Sequence, residues 1–212
     1  RSVMIYYFDE LEAVTDKNYY KVQKYASKER IEYANRYKFH NDKVQSIMVY
    51  LLLRFGLDKE LDLKIKPSIL YDNMGKPYIK ELTDTFINLS HCTKGVACAI
   101  SNKKVGIDIQ EFCEFEQDIA LMFMNELELK TCMSSKSNKE YTRIWALKES
   151  FGKYHGYGIC YDMNKINIIE NALKEGVFSY SFTYEQFVLA ISAEEYLPVR
   201  KVTFHELLKC FA

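Results

Sequence analysis

The sequence predicts an α+β protein assembled from two similar halves, and three observations carry that reading. Each half contains both helix-patterned and strand-patterned segments. The apolar run Val96-Ala97-Cys98-Ala99-Ile100-Ser101 is echoed by Val188-Leu189-Ala190-Ile191-Ser192. Each run precedes polar residues and a further strand near the end of its half. The 212 residues, 48% hydrophobic and 27% charged with three prolines, have the composition of a folded chain able to bury a sizeable core. The halves are placed at 1–104 and 105–212. No Gly/Ser-rich linker divides them, so close packing is expected, with a ligand-binding cleft between the copies.

Taken in order, Val3 to Phe8 is an apolar run suited to a strand. Lys17 to Tyr37, rich in Lys, Glu and Tyr, reads as one helix carrying the basic residues Lys24, Lys28, Arg30 and Arg36. A second helix is expected from about Asn41 to Phe55, with Gly56 as its C-cap. Asn73, Gly75 and Pro77 punctuate a turn between two short extended pieces. Strands follow at Phe86–Leu89, Val96–Ile100 and Val105–Ile109. Helices are expected near Gln117–Leu129 and Glu140–Tyr154, then strands near Ile166–Ile169, Val177–Thr183, Phe187–Ser192 and Val199–Phe204.

Lys+Arg 29 balances Asp+Glu 29, so total charge favours neither nucleic acid nor an anionic membrane, and any anion site must be local. The six cysteines, scattered without Cys-x-x-Cys spacing, read as free thiols in a reducing compartment. The opening Arg-Ser-Val-Met-Ile-Tyr-Tyr lacks the apolar core of a signal peptide, and the run Ile47–Leu53 is cut by Arg54. A cytoplasmic protein with no membrane span is the expectation.

Chemistry concentrates in three places. In Trp145-Ala146-Leu147-Lys148-Glu149-Ser150-Phe151-Gly152-Lys153, helical spacing puts Ile144, Leu147, Phe151 and Tyr154 on an apolar stripe. Glu149 and Lys153, four apart, are neighbours on another face. Alone they read as an ordinary surface pair. A glycine inside a helix costs about 1 kcal/mol relative to alanine, so Gly152 beside them is better explained if something approaches the backbone closely. In Gly106-Ile107-Asp108-Ile109-Gln110, a lone acid lies between β-branched residues on a buried strand. It is either paired in the core or coordinates a cation, since an unpaired buried carboxylate is expensive. Mg²⁺ takes one or two carboxylates and leaves positions for water and phosphate, which Asp108 and Glu149 would satisfy, with Gln110 on the face of Asp108. Asn88-Leu89-Ser90-His91, with Asp72-Asn73-Met74-Gly75-Lys76-Pro77, is the third place. There Ser90 and His91 are candidate phosphate donors or ordinary structural residues.

In this order, Gly75-Lys76-Pro77, Asn88-Leu89-Ser90-His91, Gly106-Ile107-Asp108-Ile109 and Trp145 to Lys153 resemble the motif series of the Sfp-type 4′-phosphopantetheinyl transferases. The resemblance implies two pseudo-symmetric α+β halves with coenzyme A and Mg²⁺ (Mn²⁺ as an alternative) between them. It also implies transfer of the phosphopantetheine arm to a serine of an apo acyl or peptidyl carrier protein, with release of 3′,5′-ADP. Asp108, Gln110 and Glu149 correspond to metal-binding positions, and Glu149, Lys153 and Asp108 to the catalytic set. Arg30, Lys76, Ser90, His91 and Lys153 correspond to coenzyme A contacts. Gln110 replaces a frequent Glu, and Tyr33 stands at a position that is basic in related proteins. The family's architecture implies a monomer. Around Ile119 to Met133, Met122, Phe123, Met124 and Met133 either face a carrier protein or fill the core. The alternative to an enzyme is a degenerate relative that binds coenzyme A or a carrier protein without transfer.

Overall fold

A computed structural model describes residues 4–158 and 162–212, and its architecture is mixed α+β. Strand β1 (Met4–Phe8) precedes helices α1 (Asp16–Val22), α2 (Lys28–Ala34) and α3 (His40–Leu61). A hairpin, β2 (Ile69–Tyr71) and β3 (Pro77–Ile79), then leads to strands β4 (Phe86–Cys92), β5 (Gly95–Ser101) and β6 (Val105–Glu111). Helices α4 (Gln117–Phe123), α5 (Glu126–Ser135), α6 (Asn138–His155) and α7 (Ile168–Lys174) follow. Strands β7 (Phe178–Thr183), β8 (Phe187–Ala193) and β9 (Val199–Lys201) and helix α8 (Phe204–Phe211) complete the order.

The strands form a sheet of order β4-β5-β1-β9, a second of order β6-β8-β7, and the β2-β3 hairpin. The two echoed runs are β5 and β8, each buried along its length and paired on both sides. Side-chain alternation builds the layers. Tyr6, Phe8, Cys98 and Ile100 face Ile47, Met48, Leu51 and Phe55 of α3. Ile5, Ala97 and Ala99, on the opposite face, pack against Ile107, Ile109, Leu189 and Ile191 of the second sheet. Val188 and Ala190 pack against Leu147 and Phe151 of α6. The order is therefore helix, sheet, sheet, helix, and Asp108 is on the β6 face turned to α6.

Several elements differ from expectation. Lys17–Tyr37 is two helices and a 3₁₀ turn, Gln23–Tyr25, because Ser27 caps α2 by accepting the Arg30 amide at 3.1 Å. Helix α3 continues past Gly56 to a left-handed Asp62. A Cβ on Gly56 would lie 2.5 Å from Ile100 Cδ1, so this glycine lets α3 lie flat on the sheet. Gln117–Leu129 is divided because Asn125 and Glu128 form a capping box that starts α5 anew. Ile166–Ile169 is not a strand: it follows a 3₁₀ turn, Met163–Lys165, and runs into the start of α7. Strand β9 ends at Lys201, and a second capping box, Thr203 with Glu206, opens α8. Among the described residues, no helix is long and apolar enough to cross a membrane. Cys92, Cys98, Cys113, Cys132 and Cys210 are free thiols, and Cys160 lies outside the described residues.

Candidate active site

The site is built where two sheet edges meet. Strand β4 ends one sheet and β6 ends the other. Their facing edges are joined through side chains: Asn88 Oδ1 accepts the Ile107 amide at 2.9 Å and Ser90 Oγ accepts the Ile109 amide at 3.0 Å. The two-residue spacing of Asn88 and Ser90 matches that of Ile107 and Ile109, so the Asn-x-Ser pattern satisfies amides that an edge strand would leave orphaned.

Helix α6 then closes on β6. A Cβ at Gly106 would fall 2.0 Å from the Ser150 carbonyl oxygen and 2.3 Å from the Tyr154 nitrogen. The missing side chain thus brings the helix backbone against the strand two residues before Asp108. The buried stripe of Ile144, Leu147, Phe151 and Tyr154 holds α6 in that place. Gly152 also has close backbone company, but it is the chain's own: its Cβ would meet the Gly158 carbonyl oxygen at 2.3 Å. The Gly152 carbonyl accepts the amides of Gly156, Tyr157 and Gly158 at 2.8, 3.2 and 3.3 Å.

Asp108 is nearly buried. Its Oδ1 accepts from Lys153 Nζ at 2.7 Å and from Ser90 Oγ at 3.1 Å, and Lys153 also donates to Ser90 at 3.2 Å. Asp108 Oδ2 is buried with no hydrogen-bond partner. Asp108, Gln110, Glu149 and Lys153 line one cavity of about 290 Å³ with Ser90, His91 and Trp145. Burial raises the Glu149 carboxyl above its ordinary value, the neighbouring Asp108 adds to this, and Lys153 opposes it. Glu111 faces away from this cluster and accepts a hydrogen bond from Thr93.

A second cavity of about 340 Å³ shares Leu89, His91, Glu149 and Lys153 with the first. Arg30, Tyr33, Tyr37, Lys76 and Pro77 line its remaining wall. Arg30 is buried and donates from Nε and Nη2 to the Ser46 carbonyl at 3.0 and 2.9 Å, with its guanidinium over the Tyr33 ring. Lys76 is carried by a turn that Asp72 organises, its Oδ1 accepting the Met74 and Lys76 amides at 2.9 and 2.8 Å. Gly75 takes φ +80 there, where a side chain would be strained. Lys76 Nζ donates to the Tyr154 carbonyl at 2.9 Å, and burial lowers its pKa, with Lys104 adding to the effect.

Arg30, Lys76, Ser90, His91, Asp108, Gln110, Glu149 and Lys153 therefore all line one or both of two adjoining cavities. Three contributions were missed: Asn88 as the edge bridge, Gln45 as the partner of His91, and the cavity-lining Tyr37; Trp145, named within the helix motif, lines the smaller of these two cavities. Lys148, in the same motif as Glu149, has a different task. Fully buried, it donates to the Met163 and Ile166 carbonyls and pairs with Glu128 at 2.7 Å. In the Ile119–Met133 region, Met122 and Met133 are exposed while Phe123 and Met124 are buried.

A buried carboxylate with one oxygen unpartnered, a second carboxylate and an amide in the same cavity suit a hard, oxygen-preferring cation, which usually takes one or two protein carboxylates. Among the described residues no group of three or more His, Cys, Asp and Glu gathers as a metal-ion site, so a cation here would rest on the two carboxylates and the amide. Lys76, Lys153 and Arg30 around the larger cavity suit an anion. The residues present would suit an anionic ligand together with a hard divalent cation.

Comparison with known proteins narrows that reading. Residues 104–199 match the model of the 4′-phosphopantetheinyl transferase superfamily, a stretch that contains Asp108, Gln110, Glu149 and Lys153. The chain is 31% identical over 156 residues to the 4′-phosphopantetheinyl transferase gsp of Aneurinibacillus migulanus, covering 72% of this chain and 65% of that protein. It is 26% identical to the 4′-phosphopantetheinyl transferase Sfp of Bacillus subtilis (strain 168), covering 68% of this chain and 66% of the relative. For the 4′-phosphopantetheinyl transferase psf-1 of Bacillus pumilus the identity is 27%, with 73% and 70% covered. The chain spans just under two thirds of the length of the first two. The likeness is to the Sfp-type 4′-phosphopantetheinyl transferases, the family that the four motifs resemble.

Proposed function

We propose that this chain is an Sfp-type 4′-phosphopantetheinyl transferase that moves the phosphopantetheine arm of coenzyme A to a serine of an apo acyl or peptidyl carrier protein. The observation that carries the reading is Asp108, held by Lys153 and Ser90 through one oxygen while the other is buried and unpartnered beside Glu149 and Gln110. The two adjoining cavities are read as the cleft between pseudo-symmetric halves, 1–104 on the coenzyme A side and 105–212 on the catalytic side. A cleft formed within one chain needs no second copy, so a monomer is the working state.

Asp108, Glu149 and Gln110 would hold Mg²⁺, which when bound offsets charge on the pyrophosphate. The serine hydroxyl attacks the β-phosphorus of coenzyme A, the bond from that phosphorus to the oxygen bridging the α-phosphate breaks, and 3′,5′-ADP leaves. Glu149 takes the serine proton. A positioned general base contributes roughly 10²–10⁴-fold. Lys153 stabilises the departing phosphate, while Lys76, Ser90, His91 and Arg30 orient the donor. Contact with the carrier protein is assigned to the exposed apolar residues Met122 and Met133, with Leu121 and Leu127.

The test is calorimetric titration with coenzyme A in Mg²⁺ and in EDTA, paired with an assay for 3′,5′-ADP release when apo carrier protein is added. Metal-assisted binding and carrier-dependent release are expected. Binding without release would instead support a degenerate coenzyme A-binding relative, a reading that Asp108, Glu149 and Lys153 argue against and that Gln110 and Tyr33 leave open.

A further inference from the structure

Gln45 sits in an apolar stretch of α3, between Val44 and Ile47, and is buried. A buried amide is costly there unless its polar atoms are bonded. Its Oε1 lies 2.8 Å from Nδ1 of His91 on β4. A carbonyl oxygen has no proton to give, so Nδ1 is the donor. Nε2 is the ring nitrogen left for the ligand, and His91 lines both cavities. In a neutral ring so held, Nε2 carries a lone pair and no proton.

We propose that Gln45 is a positioning residue for the transfer reaction, fixing His91 in its Nδ1-protonated form and so making phosphate binding at this ring proton-linked. The proposal rests on the reading that a coenzyme A-type donor occupies the cavity. A phosphate oxygen is itself an acceptor, so it is held by Nε2 only when the ring takes a second proton. The surrounding charges are Arg30 from α2, Asp42 from α3, Asp108 from β6, and Glu149 and Lys153 from α6. In the free protein, burial and then Lys153 and Arg30 hold His91 below the ordinary histidine value. An anion placed among those cations reverses their effect. Without the Gln45 bond, the ring is free to adopt the Nε2-protonated neutral form, which donates to phosphate with no proton taken up.

The test uses the full chain and two substitutions, Gln45→Leu, which removes the acceptor, and Gln45→Glu, which keeps it. Long-range ¹H–¹⁵N NMR of the free protein, with the His91 signals assigned by His91→Asn, should show Nδ1–H in the wild type and in Gln45→Glu. In Gln45→Leu the Nε2–H form should dominate. Titration with coenzyme A in two buffers of different ionisation enthalpy, at about pH 7, should show proton uptake by the wild type and clearly less by Gln45→Leu. Because a hydrogen bond to a charged group is lost, affinity should fall by about tenfold in Gln45→Leu and be retained in Gln45→Glu. An Nε2–H ring in the wild type, or equal proton uptake in wild type and Gln45→Leu, overturns the proposal. If coenzyme A fails to bind the wild type, the substrate reading falls and the ligand part of this proposal with it. The NMR still decides whether Gln45 sets the ring.

Discussion

Asp108 and Lys153 behave as one unit, and removing either half leaves the other exposed to its surroundings' low polarity. Their side chains are 9% and 28% exposed, so solvent screens the pair on one side only. Lys153→Met should therefore cost about 1–3 kcal/mol, read as a lower denaturant midpoint, together with loss of transfer. Glu149 makes a prediction of opposite sign. Burial and Asp108 raise its folded-state pKa, so the folded chain binds that proton more tightly than the unfolded chain does. Stability is then lost as pH rises through the raised value. Glu149→Gln should accordingly have a higher Tm than the wild type at neutral pH in EDTA, while transfer is abolished. These residues were legible because a lone acid on an apolar strand is unusual, and because the acid–lysine pair, ordinary alone, belongs to an ordered series of motifs. Gln45 and Asn88 were not, since an amide's role depends on which strand edge or ring it meets across the fold.

At the scale of elements, glycines set the approach of α6 to its neighbours. Gly106→Ala would place a methyl group 2.0 Å from the Ser150 carbonyl oxygen, backbone that cannot give way without shifting the helix. A loss of about 3 kcal/mol or more is expected, measured by chemical denaturation, with any folded fraction inactive because Glu149 and Lys153 move relative to Asp108. The Lys148–Glu128 pair fixes the other side of the same helix. Lys148→Met leaves Glu128 buried without its cation and should cost about 3–5 kcal/mol, part of which Glu128→Gln recovers in the double variant. Elements with strong periodicity, such as α6 and the echoed strands β5 and β8, could be placed from sequence. Boundaries set by single caps could not: Ser27, Asn125 and Thr203 each start a helix where composition alone ran on or read as strand.

Over the whole molecule, four layers place two sheet edges together, and the site lies at that seam. The C-terminal segment is part of the same construction, because β9 pairs in parallel with β1 and the Ile5 amide donates to the Pro198 carbonyl at 2.9 Å. Removing residues 199–212 would open the β1 edge and uncover α3, so circular dichroism should show loss of a cooperative melt, with aggregation. That parallel pairing joins residues almost two hundred positions apart, which no local pattern in the sequence specifies. The α+β class, by contrast, followed from alternating local patterns.

Transfer of phosphopantetheine at this seam is read out by intact-protein mass spectrometry of an apo acyl carrier protein. Incubated with this chain, coenzyme A and Mg²⁺, the carrier should gain the mass of one phosphopantetheine, and should gain nothing in EDTA or with Asp108→Ala. No gain on any of several acyl and peptidyl carrier proteins, with coenzyme A still bound, would contradict it.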